Sequence, residues 1–177
     1  KKWRLRSQDD RMGLALAQRL DVPEIVGRVL VGRGVSPDDA ERYLQPTLRD
    51  LLPNPSLFKD MDKGAERIAT AIQKGQKIAV FGDYDVDGAT SSGLLKRFFD
   101  QIGIPLTIYI PDRLKEGYGP NIPAFDNLKA QGIDLVITVD CGIVSFDQIT
   151  HANNIKLDVI VVDHHQAETR LPDAVAV

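Results

Sequence analysis

The spacing of apolar residues changes once along the chain, near residue 75, and the change separates two kinds of predicted element. Up to that point apolar positions recur every three or four residues between turn signals, the period of one helix face. Ser7 with Asp9 and Asp10 can open a helix carrying Met12, Ala15, Leu16 and Leu20. Pro23 begins a second, with Ile25, Val26, Val29 and Leu30 on one face and Gly34 past its end, and Ser36-Pro37-Asp38-Asp39 starts a third. Residues 45–55 hold three prolines and read as a connector. A fourth helix is expected over 60–74, with Ile68, Ala71 and Ile72 inward and Gly75 as its stop.

From Gln76 onward, β-branched runs at 77–81, 106–110, 134–139 and 158–162 alternate with amphipathic stretches at 89–102, 122–130 and 146–153. Four strands joined by three helices imply an α/β fold, a parallel, doubly wound sheet with right-handed crossovers. The expected organisation is a small helical N-terminal region, 1–75, followed by an α/β domain, 76–177.

Composition narrows the function. The 177 residues are 43% hydrophobic and 27% charged, an ordinary globular balance, and no apolar run is long enough to span a membrane or form a signal-peptide core. One cysteine, Cys141, excludes an internal disulfide and a multi-cysteine zinc or iron–sulfur site, and suits a reducing compartment. The net charge of −3 is unevenly shared: residues 1–75 carry 14 Lys/Arg against 11 Asp/Glu, residues 76–177 only 8 against 14. Bound cations would invert the field of that acidic half, so its charge does not exclude a phosphate-bearing substrate.

Ligands of doubly wound sheets gather at the carboxyl ends of the strands. Three polar clusters fall at such ends: Gly82-Asp83-Tyr84-Asp85-Val86-Asp87-Gly88, Val139-Asp140-Cys141-Gly142 and Asp163-His164-His165. Two unit charges 4 Å apart repel by roughly 4 kcal/mol at an effective dielectric near 20, so carboxylates gathered on one rim call for cations. Oxygen ligands with one or two imidazoles suit Mn²⁺ or Mg²⁺ better than zinc. Two such ions about 3.5–4 Å apart, sharing a carboxylate, activate water against a phosphorus centre, and phosphoester hydrolysis is the chemistry this set fits.

Other readings of the same residues are weaker. Asp83 to Gly88 opens like a calcium-binding EF-hand loop, but its twelfth position is Leu94 and it follows a strand. Each cluster alone would pass for an acidic turn or a helix cap; three at successive strand ends is a pattern. Cys141 reads as a small buried residue beside the site. No Walker phosphate loop or Rossmann glycine fingerprint is present. Arg113-Leu114-Lys115-Glu116-Gly117-Tyr118-Gly119, after the second strand, offers cations for a phosphate and glycines for close backbone approach, or else is a charged connector.

These motifs, taken in order, resemble those of the DHH phosphoesterase superfamily. The lead-in, with Arg33-Gly34, Leu44-Gln45-Pro46 and Asp60-Met61, is similar to that of its single-strand-specific exonucleases, so the resemblance covers essentially the whole chain. It implies a 5′→3′ exonuclease acting on single-stranded DNA in repair and recombination, in the cytoplasm, with Mn²⁺ or Mg²⁺ as cofactor. By the same resemblance the metal ligands fall on Asp85, Asp87, Asp140, His164 and His165, with Asp140 expected to bridge two ions. Asp83 and Asp163 are expected to orient loops and imidazoles. Arg113, Gly117, Tyr118 and Gly119 would contact DNA, the tyrosine as a stacking platform. Single-stranded DNA, a single-strand-binding protein and a recombination helicase are the implied partners, with no membrane.

The family pattern continues past Val177 with another metal-binding aspartate and a second domain that closes the DNA channel. The α/β domain is therefore expected to be incomplete at its C-terminus, and these residues alone to bind metal weakly and digest single strands poorly or not at all. Two alternatives stand beside the exonuclease: a phosphatase of the same superfamily acting on short oligonucleotides, cyclic dinucleotides or pyrophosphate, and a non-catalytic module that binds single strands or a partner protein.

Overall fold

The structure, a computed structural model, describes residues 10–177. The helix opening expected at Ser7 and Asp9 lies outside them. The chain divides into two compact units, residues 1–54 and 55–177.

In the first unit, helices α1 (Asp10–Leu20) and α2 (Glu24–Gly32) pair around Leu16, Leu30 and Ala40, with Leu20, Val26, Val31 and Val35 closing the cluster. Helix α3 (Ala40–Leu44) follows. The expected connector holds one helical turn, α4 (Leu48–Leu51), because the Thr47 hydroxyl caps it by accepting from the Asp50 N–H at 3.2 Å.

The second unit opens with a 3₁₀ turn at Pro55–Leu57 and helix α5 (Met61–Gln73), and then builds the sheet: β1 (Lys77–Gly82), α6 (Val86–Gln101), β2 (Leu106–Tyr109), α7 (Ile122–Ala130), β3 (Ile133–Val139), α8 (Phe146–Asn154) and β4 (Asp158–Val162). All pairings are parallel, in the order β2-β1-β3-β4. Strands β1 and β3 are central and are buried along almost their whole length, as strands covered on both faces must be. One face packs Phe125 and Leu128 of α7 and Ile149 and Ala152 of α8 against Phe81, Val136 and Val159. The other packs Ile68, Ala71 and Ile72 of α5 and Leu95 and Phe99 of α6 against Ile78, Leu135 and Ile160. The sheet is therefore doubly wound, as the alternating pattern predicts.

Two boundaries differ from the sequence reading. The period changes at residue 75, yet α5 belongs to the same unit as the sheet. Its apolar face lies on the strands, and its Arg67 donates to Asp158 Oδ2 at 2.7 Å and to Gln76 Oε1 at 2.9 Å. Helix α6 begins at Val86 rather than 89, because Asp85 caps it: Oδ1 accepts from the N–H groups of Asp87 and Gly88 at 3.0 and 3.1 Å. Beside β4, Ala176 forms a parallel bridge with Ile160, through the Val161 N–H to the Ala176 carbonyl and the Val175 N–H to the Val159 carbonyl.

Candidate metal centre

Strand order decides what meets. Between β1 and β3 the chain reverses its direction of travel across the sheet, and the loops that leave these two strands diverge to opposite faces, opening a crevice at their carboxyl ends. The Asp83 to Asp87 loop leaves β1 and the Asp140 to Ile143 loop leaves β3; β4, next to β3, delivers Asp163-His164-His165 to the same edge.

The side chains converge there in two overlapping sets, each with ligand atoms within 4.8 Å of one another: Asp83, Asp85 and Asp140, and Asp140, His164 and His165. Asp140 is common to both. His164 Nε2 lies 3.0 Å from Asp140 Oδ1 and His165 Nδ1 3.9 Å from the same oxygen. Asp83 and Asp140 are buried, at 3% and 6% exposure, and each has one carboxylate oxygen, Asp83 Oδ1 and Asp140 Oδ2, with no hydrogen-bond partner. Two unpaired buried carboxylate oxygens, on two residues of the same set, are costly by themselves and fit a divalent cation, whose bonds would satisfy them.

The local backbone holds this arrangement. Gly88, in the first turn of α6, lies against the backbone of Asp83: a Cβ there would stand 2.3 Å from the Asp83 carbonyl oxygen. Only glycine lets the helix start so close to the strand end. Asp140 takes a left-handed conformation, φ 61°, uncommon outside glycine but tolerated by Asp, which turns the chain directly after β3. Asp163 acts as a bracket. Its Oδ2 accepts from the Ile143 N–H at 3.0 Å, and its Oδ1 accepts from the His165 N–H at 3.1 Å and faces His165 Nδ1 at 2.8 Å. With Nδ1–H donated to that carboxylate, Nε2 of His165 is left with the lone pair a metal needs.

The charges answer to these contacts. Asp140 is held above the usual carboxylate range, first by burial and next by the neighbouring Asp85 carboxyl. Asp85 is held below it by the Gly88 N–H and then, against burial, by Asp140 and Asp87. For Asp163 burial is the largest influence and opposes ionisation, but the Ile143 N–H and His165 together outweigh it and bring the group below its ordinary value. His165 is raised by its hydrogen bond to Asp163. Cys141 is fully buried, its thiol near the Phe81 and Val139 carbonyls, and burial pushes its pKa well up, the reverse of what a nucleophile requires.

Among the residues expected at the site, Asp85, Asp140, His164 and His165 are brought together and Asp163 braces one of them. Asp87 sits in the exposed first turn of α6 and belongs to neither set. Asp83, expected to support, contributes a carboxylate oxygen to the first of the two sets. Position along the strand was the available signal, since the first aspartate after β1 is the one the sheet buries. Arg113 comes to the rim of the crevice, its guanidinium 5.2 Å from the centroid of Tyr84, between Asp83 and Asp85. Tyr118, between Gly117 and Gly119, places its hydroxyl 3.0 Å from the Asp140 carbonyl oxygen and 3.4 Å from His165 Nδ1.

Residues 77–177, which hold the doubly wound sheet and the Asp-His-His after β4, match a family by sequence: the chain belongs to the DHH family, through its N-terminal domain. Its relatives are more particular. It is 36% identical over 176 residues to the single-stranded-DNA-specific exonuclease RecJ of Bacillus subtilis, covering 99% of this chain and 22% of that protein. It is 34% identical over 158 residues to RecJ of Escherichia coli, covering 89% of this chain and 27% of that protein. A crystal structure of exonuclease RecJ bound to manganese superposes with a TM-score of 0.58 at 34% identity, over 63% of this chain and 29% of that one. RecJ of Thermus thermophilus in complex with Mn²⁺ shares the fold, with a TM-score of 0.68 at 24% identity over 93% of this chain and 22% of that one. The chain thus spans about a fifth to a quarter of the length of the relatives it matches. Among the described residues no helix is long and apolar enough to cross a membrane.

Proposed function

We propose that this chain carries the metal centre of a single-stranded-DNA exonuclease, hydrolysing phosphodiester bonds from the 5′ end in repair and recombination. The observation that carries the reading is the meeting of Asp83, Asp85, Asp140, His164 and His165 at one sheet edge, with two buried carboxylate oxygens unpaired. The names of the relatives point the same way. Under this reading the α/β domain over 76–177, with α5 packed on its sheet, carries every candidate ligand.

Asp83, Asp85 and Asp140 would hold one Mn²⁺ or Mg²⁺, and Asp140, His164 and His165 a second, with Asp87 a further ligand by the family pattern. Bound there, divalent cations supply Lewis acidity and a water of lowered pKa. The chain's own residues do the rest. Asp140, shared by both sets, fixes their spacing. Asp163 holds the His165 ring through Nδ1. Arg113 presents its cation beside the crevice, offsetting the acidic rim for an anionic strand. Gly117 and Gly119 leave the loop backbone open to close approach, and the exposed part of the Tyr118 ring is available for base stacking.

The test is Mn²⁺ titration of this chain by electron paramagnetic resonance. The wild type should deplete the free-ion signal and Asp140→Ala and His164→Ala should not; a wild-type titration that leaves all the manganese free overturns the proposal. Release of mononucleotides from long single strands, compared with hydrolysis of dinucleotides, then separates the exonuclease from a phosphatase on short substrates. Of these residues alone, poor digestion or none is expected, so the comparison is made in a longer chain that contains them.

A further inference from the structure

Tyr118 is built into the molecule in a way that a base-stacking role does not require. The loop from β2 to α7 is braced around Glu116, which accepts from the Tyr109 hydroxyl, from the Asp112 N–H at 2.7 Å and from Asn121 Nδ2 at 3.3 Å. Directly after this brace, Gly117 and Gly119 take φ values of 79° and 77°, a conformation that side chains strain, and between them they turn Tyr118 back toward the sheet edge. Its hydroxyl donates to the carbonyl of Asp140, and its ring stands edge-on to His165, 6.0 Å between centroids at 77°. The His165 Nδ1–H that points to Asp163 also lies within 3.4 Å of the tyrosine oxygen, which can accept a share of it.

The geometry points to Tyr118 as a positioning residue whose hydroxyl holds the left-handed peptide of Asp140 and the tautomer of His165, tying the substrate-facing loop to two metal ligands. This rests on the reading of Asp140 and His165 as ligands. The Asp140 carboxylate is buried beside its own left-handed peptide, and a left-handed non-glycine residue persists only where neighbours over-determine it. The Val162 carbonyl receives the Asp140 N–H at 2.9 Å, and Tyr118 grips the other end of the residue. A strand that moves the loop therefore moves the ligands, and a metal that orders the ligands orders the loop.

Tyr118→Phe removes the hydroxyl and keeps the ring. In the metal-free protein the expected result is a shifted Asp140 carbonyl carbon and altered His165 ring-nitrogen resonances by nuclear magnetic resonance, with the far-ultraviolet dichroism unchanged. In Mn²⁺ titrations it should weaken binding by about 10-fold or more, the usual cost of losing a group that orients a ligand, and Tyr118→Leu should do no worse than the phenylalanine. Phenylalanine resonances and affinity matching the wild type overturn the inference and leave stacking as the residue's role. If the wild type binds no manganese, the exonuclease reading fails, while the resonances still decide whether Tyr118 holds Asp140 and His165.

Discussion

Asp140 combines a left-handed backbone, a buried carboxylate and an unpaired oxygen, three features that a chain selected for stability alone would shed. Asparagine tolerates the same φ and has no charge to bury. Asp140→Asn is therefore expected to raise the stability of the metal-free protein by about 1–2 kcal/mol at neutral pH while abolishing Mn²⁺ binding. The sign in pH follows from burial. Because the folded pKa lies above the ordinary one, the unfolded chain ionises first, so the penalty is absent in acid and grows as pH rises past the ordinary carboxylate value. Urea midpoints of the two proteins should converge below about pH 4 and separate above it. A variant no more stable than the wild type at pH 7 would place the strain elsewhere.

Helix α6 and the β2–α7 loop carry the elements around the centre. Gly88→Ala drives a methyl group into the Asp83 backbone, so the first turn of α6 must move off β1. The expected cost is about 1–3 kcal/mol in denaturant unfolding, together with weakened manganese binding because Asp83 moves with the turn. The loop depends on the Tyr109 to Glu116 hydrogen bond. Glu116 is held below its ordinary pKa chiefly by that bond, so its contribution is present above the ordinary carboxylate value and is lost as pH falls through the folded one. Tyr109, raised to about 12 by burial and by Glu116, contributes below its own ordinary value and loses that contribution as pH climbs toward about 12. The stability gap between wild type and Tyr109→Phe should accordingly be widest near neutrality and close in both acid and strong alkali.

Over the whole molecule, the centre joins residues 24 (Asp140 to His164) to 82 (Asp83 to His165) positions apart in sequence, at the ends of β1, β3 and β4. A cation that binds only when all three strand ends are in place stabilises the fold that aligns them. Manganese at 100 times its dissociation constant should add about 2.7 kcal/mol, read as a higher melting temperature that chelation reverses. Asp140→Ala should show no such shift.

Much of this was legible in the chain. Four β-branched runs separated by helical stretches force parallel strands with right-handed crossovers, and parallel strands send every strand-to-helix loop to one edge. Polar clusters placed after the first, third and fourth runs share that edge, and the strand order, which sets β1 beside β3 and β3 beside β4, is what brings them together. Which members of those clusters meet was decided by packing. Asp83 is buried because it continues β1 under the close approach of Gly88, while Asp87, four residues on, turns outward with the helix. Helix α5 joined the sheet because its apolar face covers Ile78 and Leu135, a match between surfaces that a change of period does not reveal. The Tyr118 hydroxyl reaches a backbone carbonyl, and a carbonyl is the same at every position: periodicity specifies elements and their order, whereas contacts to the main chain exist only once the chain has folded.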